Sequence, residues 1–232
     1  MDDPAEDIMG ATFRALCDHG YAELTMRDIA EESDRSKAAL HYHYDDKEGL
    51  LVAFLDHMFE QFTDRVGGYG VGGDADLPED VDPSDPDERL RAFLSAVLHP
   101  PADGDEVREF RTAMLEIKAQ APYTDAFRER LARFEAYVTD TVVELVEAGQ
   151  DAGMYRDDAD PEHVAQFVLV THDGADARHV IADAPVDCAL ASLEDYLDGY
   201  LLVDAERETA DATAAASDQL TDGGQGMEAG EE

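Results

Sequence analysis

Lys37, His41, Tyr42, His43 and Lys47 lie within the run SKAALHYHYDDKEGL at 36–50, in a 232-residue chain that has only three lysines. Ammonium, imidazole and phenol groups at this density can donate to phosphate oxygens and to base edges, and aromatic faces can meet thymine methyls. They do not form a bond-making set, because no nucleophile stands beside a base signature. His41, His43, Asp45 and Asp46 carry metal-ligating atoms. Two residues apart on a helix, however, the two imidazoles diverge by roughly 200°. No metal site is predicted. The chemistry offered is recognition of a phosphate backbone and the bases between.

The elements that must position these groups read as helices. Residues 5–19 carry Ile8, Ala11, Thr12, Ala15, Leu16 and His19 on one face, and Gly20 supplies a stop. Thr25, followed by Asp28, has capping-box spacing for a short second helix with Met26, Ile29 and Ala30 on its buried side. Ser36 is the next predicted cap, opening a third short helix whose inward anchor is Leu40. Asp46 caps a fourth, with Leu51, Phe54, Leu55, Met58 and Phe62 in helical phase. This is helix-turn-helix spacing, in which the second helix of the pair enters the major groove. Thr25, Arg27, Ser36, Lys37, Ala38, His41, Tyr42, His43 and Lys47 are then the candidate DNA contacts. Ala38 has no side chain to hold the helix off the groove, and Lys47 sits at a helix N-terminus, where free N–H groups favour phosphate.

The run GYAELTMRDIAEESDRSKAALHYHYDDKEGLL, extended back through IMGATFRALCDHG, resembles the N-terminal domain of the TetR family of transcriptional regulators over roughly residues 5–62. The matching positions include Thr25, Arg27, Ile29, Ala30, Ser36, Lys37, Leu40, Tyr44, Lys47 and Leu50. Asp34 and Arg35 depart from the pattern, and His41 stands where the family often has a phosphate-contacting tyrosine. The segment EAGQDAGMYRDDADPEHVAQFVLVTHDGADARHV is similar, less specifically, to the second half of the same family.

The resemblance implies an all-α fold. An N-terminal three-helix helix-turn-helix DNA-binding domain at 5–64 would be joined to a helical effector-binding and dimerisation domain at 87–203. It also implies a homodimer on a near-palindromic double-stranded operator, with recognition helices about 34 Å apart, released by a small-molecule effector. The dimer helices would be 161–182, offering Phe167, Val168, Val170, Thr171, Ala175 and Ile181, and 186–203, offering Leu190, Leu193, Tyr196, Leu197 and Leu201. Pocket candidates are Phe93, Phe110, Met114, Tyr123, Phe127, Phe134, Tyr137 and Phe167, each of which also reads as plain core. His172 and His179 share a face with Asp173 and Asp176, and contact with solvent or the other subunit is the favoured reading over contact with an effector.

Composition bounds the rest. Fifty-six acidic residues face seventeen basic ones, a formal charge of −39. Such a surface repels itself in dilute buffer and is suited to concentrated salt, where the Debye length falls to about 3 Å. Between Thr25 and Lys47 there are four cations and six acids, so the usual basic footprint of a DNA binder is absent. Salt supplies the reason: with about six phosphate contacts, a twentyfold rise in salt costs roughly 10⁷ in affinity. A binder in molar salt must lean on short hydrogen bonds, apolar contact and shape.

The stretch at 65–86 is an acidic Gly/Pro-rich linker by composition, and 204–232 reads as a disordered acidic tail. Cys17 and Cys188 have no partner motif, and no cofactor fingerprint occurs. With no basic leader and no apolar run of eighteen residues, a soluble cytoplasmic protein is expected. An enzyme is disfavoured. The remaining rival is an acidic sensor or interaction protein whose helix-turn-helix no longer binds DNA.

Overall fold

The computed structural model describes residues 4–33, 37–71, 77–79, 81–100 and 105–203. Asp34, Arg35 and Ser36, the Lys37 side chain, parts of the 65–86 linker and the tail at 204–232 lie outside them. The fold is all-α. Among the described residues the helices are α1 (Pro4–Glu23), α2 (Met26–Glu32), α3 (Lys37–His43), α4 (Lys47–Val66), α5 (Pro86–Leu98), α6 (Asp105–Lys118), α7 (Asp125–Asp151), α8 (Pro161–Ala182) and α9 (Asp187–Tyr200). Extended pairing among them is limited to one antiparallel bridge, Tyr155 to Leu202. Among the described residues no helix is long and apolar enough to cross a membrane.

Local chemistry sets the first four elements. The regular part of α1 breaks at Gly20, where φ is 69° and ψ 161°, a region open to glycine alone. One more turn follows, closed by the Leu24 N–H on the Gly20 carbonyl at 3.0 Å. Thr25 and Asp28 form the full capping box of α2. The Asp28 carboxylate accepts from the Thr25 hydroxyl at 2.7 Å and from its N–H at 2.8 Å. These bonds hold that carboxyl below the usual range. Asp46 caps α4 by accepting from the Gly49 N–H at 2.9 Å.

Two apolar cores result, and neither belongs to one half of the chain. The first gathers Leu16 of α1, Ile29 of α2, Leu40 of α3 and Leu50, Leu51 and Phe54 of α4. Ala113 and Ile117 of α6 and Phe127 of α7 complete it. The second is built from α5, α7, α8 and α9 around Phe93, Leu94, Val142, Leu145, Val168 and Leu197, and takes Val66 from the end of α4. The segment after α4 is pinned in its described part. Arg89 donates to the carbonyls of Gly68 at 3.3 Å, Tyr69 at 2.9 Å, Pro83 at 3.2 Å and, closer still, Gly70.

Tyr155, just past α7, locks the second core. Its ring presses on Gly149 of α7, where a Cβ would lie 2.1 Å from Tyr155 Cδ2. Its hydroxyl donates to Asp87 at 2.8 Å, and Asp87 also accepts from Arg91 at 2.7 Å. Burial, then the Asp87 charge, pushes the phenol well above its ordinary value.

Candidate nucleic-acid interface and an internal cavity

α3 stands at the surface with one described side chain sealed beneath it. Leu40 is 0% exposed, whereas Ala38, His41, Tyr42 and His43 face solvent, Tyr42 at 84%. An exposed tyrosine of that size on a seven-residue helix has no role in the protomer's own packing. Tyr42 and His43 touch edge to face with centroids 5.1 Å apart. Tyr44 turns the other way and packs half-buried against the first core, so it supports α3 from below.

The other candidates are partly committed to structure. The Thr25 hydroxyl serves the α2 cap. Arg27 is exposed, but its Nε holds Glu31 at 2.7 Å. Lys47 is half-buried, with Nζ donating to the Tyr21 carbonyl at 2.7 Å and resting 4.5 Å from the Tyr21 ring centre. The Tyr21 N–H in turn donates to Glu116 of α6 at 2.5 Å. The last turn of α1 is therefore held from one side by α4 and from the other by α6. Sequence spacing did not reveal this link, which joins residues ninety-five positions apart.

A cavity of about 120 Å³ lies where α4, α6, α7 and α8 meet beside the end of α5. Leu55, Met58, Phe59, Phe62, Phe110, Met114, Leu131 and Phe134 form its apolar wall, and Arg65, Arg111, Lys118, Arg130, His172 and Asp176 its polar one. Of the eight pocket candidates, Phe110, Met114 and Phe134 line it. Phe93 and Phe127 are wholly buried in the second and first cores. Tyr123 points to solvent, Tyr137 packs edge-on against Phe59 and Phe62, and Phe167 lies on Tyr196 with centroids 4.1 Å apart. Helical phase marks an inward stripe without saying which of two packed sides it meets, hence the division.

The placement of His172 corrects the expectation of a solvent or subunit contact. It lines the cavity, 3.5 Å from Asp176 and edge-on to Phe134 at 5.8 Å. Burial, with the Lys118 charge next, pushes the imidazole down to about 4 although Asp173 opposes this. The ring is neutral at pH 7. Its low folded value sets the sign of a pH effect. An unfolded histidine takes a proton below pH about 6.5 while His172 in the fold does not, so stability is complete above 6.5 and falls as pH drops toward 4. Between pH 7 and pH 5 the loss should be about 2 kcal/mol. Denaturant titrations in molar salt should show this loss in the native chain and not in His172→Leu. Equal losses in both would refute the assignment.

The expected dimer face is also corrected in part. Val168, Ala175, Leu193, Leu197 and Leu201 are buried within the protomer's own second core. Val170 and Ile181 are left exposed, and Phe167, Thr171, Leu190 and Tyr196 are half-covered. Two turns of α8 thus carry apolar side chains without a partner in the protomer.

Residues 8–54 match the family described as bacterial regulatory proteins, tetR family. Residues 86–202 match the C-terminal family of BetI-type transcriptional repressors. A TetR transcription regulator from Haloarcula marismortui shares 37% identity, and the match covers 85% of this chain and 97% of that one with a TM-score of 0.74. The transcriptional repressor AcnR of Corynebacterium diphtheriae is 23% identical over 173 residues, 75% of this chain and 79% of its own. A transcriptional regulator from Saccharomonospora viridis, solved in complex with choline, has the same fold at 20% identity and a TM-score of 0.72, covering 86% of this chain and 98% of that one. One family match spans the short exposed helix and the other the bundle around the cavity, so the chain belongs to the TetR family of DNA-binding, helix-turn-helix regulators of transcription.

Proposed function

We propose that the chain is a ligand-responsive repressor that binds a near-palindromic operator as a homodimer. The observation that carries the proposal is α3, which offers Ala38, His41, Tyr42 and His43 outward while Leu40 is its buried foot. Lys37 begins the same helix; its side chain and Ser36, which lie outside the described residues, are taken to complete the reading surface, with Thr25 and Arg27 at the start of α2 and Lys47 at the start of α4 against the phosphates. The exposed apolar residues of α8 and the Tyr196 side of α9 form the two-fold contact. The cavity takes the effector. Its wall includes α4 and α6, and these helices grip the last turn of α1 through Lys47 and Glu116. A ligand that binds one spacing of the two α3 helices better than the other shifts DNA affinity by that difference.

The test is fluorescence anisotropy of the purified chain against DNA from just upstream of its gene, in molar potassium chloride, with scrambled DNA as control. Specific binding of one dimer per site is expected, and Lys37→Glu should remove it. No preference over scrambled DNA would favour the acidic sensor reading, whereas specific binding that survives Lys37→Glu would mean that other residues read the operator. Genome-wide selection of bound fragments covers an operator located elsewhere.

A further inference from the structure

We infer that the cavity is built for a small organic carboxylate, an anionic head on an aromatic or short aliphatic body of about six to eight carbon atoms. This rests on the reading of the cavity as the effector site and names the ligand's class.

The charge distribution is the first support. The chain has seventeen cationic side chains against fifty-six acidic ones. Four of the cations, Arg65, Arg111, Lys118 and Arg130, line this one cavity beside a single lining carboxylate, Asp176. Some of that charge is already matched. Arg111 holds Asp176, Lys118 holds Asp173 at 2.8 Å, and Arg130 lies 3.3 Å from Asp56. Arg65 is different. Its Nη1 donates to the carbonyls of Ala96 and His99, each at 3.1 Å, and no carboxylate among the described residues forms an ion pair with it. This half-buried guanidinium is held by carbonyl dipoles and by the Phe62 ring, its centre 5.7 Å from Cζ, with no carboxylate counter-charge among the described residues.

Unmet donors are the second support. The Nε–H of Arg65 and that of Arg111 are buried with no hydrogen-bond partner, and Arg111 as a whole is 3% exposed. Arginine has donors only, so a ligand that satisfies these groups must bring acceptor oxygens. A carboxylate offers two, with the planar geometry that guanidinium matches. A quaternary ammonium ion offers none and meets four cations.

Size and shape give the third support. The same cavity is lined by Phe59, Phe62, Phe110, Met114 and Phe134. The volume of about 120 Å³ is close to the roughly 150 Å³ of an engineered apolar cavity that accepts benzene. A single ring or a short chain fills this volume. Arg65 is in the last turn of α4, whose first turn holds α1 through Lys47. A bound anion would therefore act on the helix that supports α3.

The experiment is calorimetric titration of the full chain at pH 7.5 in 1 M potassium chloride, where surface charge is screened to about 3 Å. The probes are benzoate, phenylacetate and hexanoate, with benzamide and benzyltrimethylammonium as neutral and cationic counterparts. At least one carboxylate should bind tenfold or more tightly than either counterpart. Arg65→Met should weaken it at least tenfold, and Arg65→Lys less. The comparison of probes on the unaltered chain stands even if Arg65→Met fails to fold.

Equal or tighter binding of the amide or the ammonium ion overturns the inference, and so does no binding by any carboxylate at millimolar concentration. Operator anisotropy with each bound probe separates the two readings. A carboxylate that binds without changing operator affinity sustains the ligand class and refutes the effector role. An ammonium ion that releases DNA does the reverse.

Discussion

Leu40→Ala should abolish specific DNA binding while changing total helix content by little more than α3. Seven residues are too few for a stable helix in water, so α3 exists by docking, and among its described side chains only Leu40 is fully buried. Truncating a fully buried leucine costs about 2.7–5 kcal/mol, because the neighbours close only part of the space. If α3 docks only marginally and the whole loss falls on docking, the competent population drops by as much as roughly one hundred- to several thousand-fold, and operator affinity falls with it. His41→Ala and His43→Ala, which remove exposed groups, should each cost far less. Anisotropy against the operator in molar salt, alongside circular dichroism, reads both effects. Unchanged affinity in Leu40→Ala would mean that another element presents the reading surface.

Gly149→Ala should be the most destabilising single change that adds only one methyl group. The new Cβ would stand 2.1 Å from Tyr155 Cδ2 and 2.3 Å from Cε2. The ring cannot step aside cheaply, being 2% exposed and tied through its hydroxyl to Asp87, which in turn holds Arg91. Overpacking costs about 1–3 kcal/mol and sometimes more, and an orphaned buried hydrogen-bonding group adds about 1–3. A loss near 4 kcal/mol is a large part of a domain's total stability of about 5–15. At this chain length it lowers Tm by about 10 °C. A double-mutant cycle isolates the cause. Tyr155→Ala removes the obstacle, so Gly149→Ala should cost little in that background. Additive losses would place the damage elsewhere on α7.

The helical order was legible in the sequence because its determinants are local. Thr25 with Asp28 and Asp46 before Lys47 mark helix starts by side-chain geometry alone, and the structure has both caps. Pro86, Pro161 and the apolar stripe from Phe127 to Val146 work the same way. The exposure of α3 was legible for the same reason, through one buried leucine among outward-facing polar groups.

The cavity was not, because its polar wall is assembled from α4, α6, α7 and α8 by tertiary packing. A signal did exist. Arg111, Met114 and Lys118 fall three and four apart on α6, and Met58, Phe62 and Arg65 on α4, so cations sit at positions where the phase demands an apolar residue. His172 and Asp176, four apart on α8, repeat the pattern. A charge on an inward stripe marks an internal polar site more sharply than the aromatics did.

The first core bears on how such a protein can evolve. Its reading head is closed by Ala113, Ile117 and Phe127, supplied from α6 and α7. Moved onto a foreign partner, residues 4–66 would present a greasy socket to water where those three side chains had been. The head is no interchangeable cassette. On the proposed function, new operators would be acquired by point changes on α3 and new ligands by changes on the cavity wall, with the seam between them inherited intact.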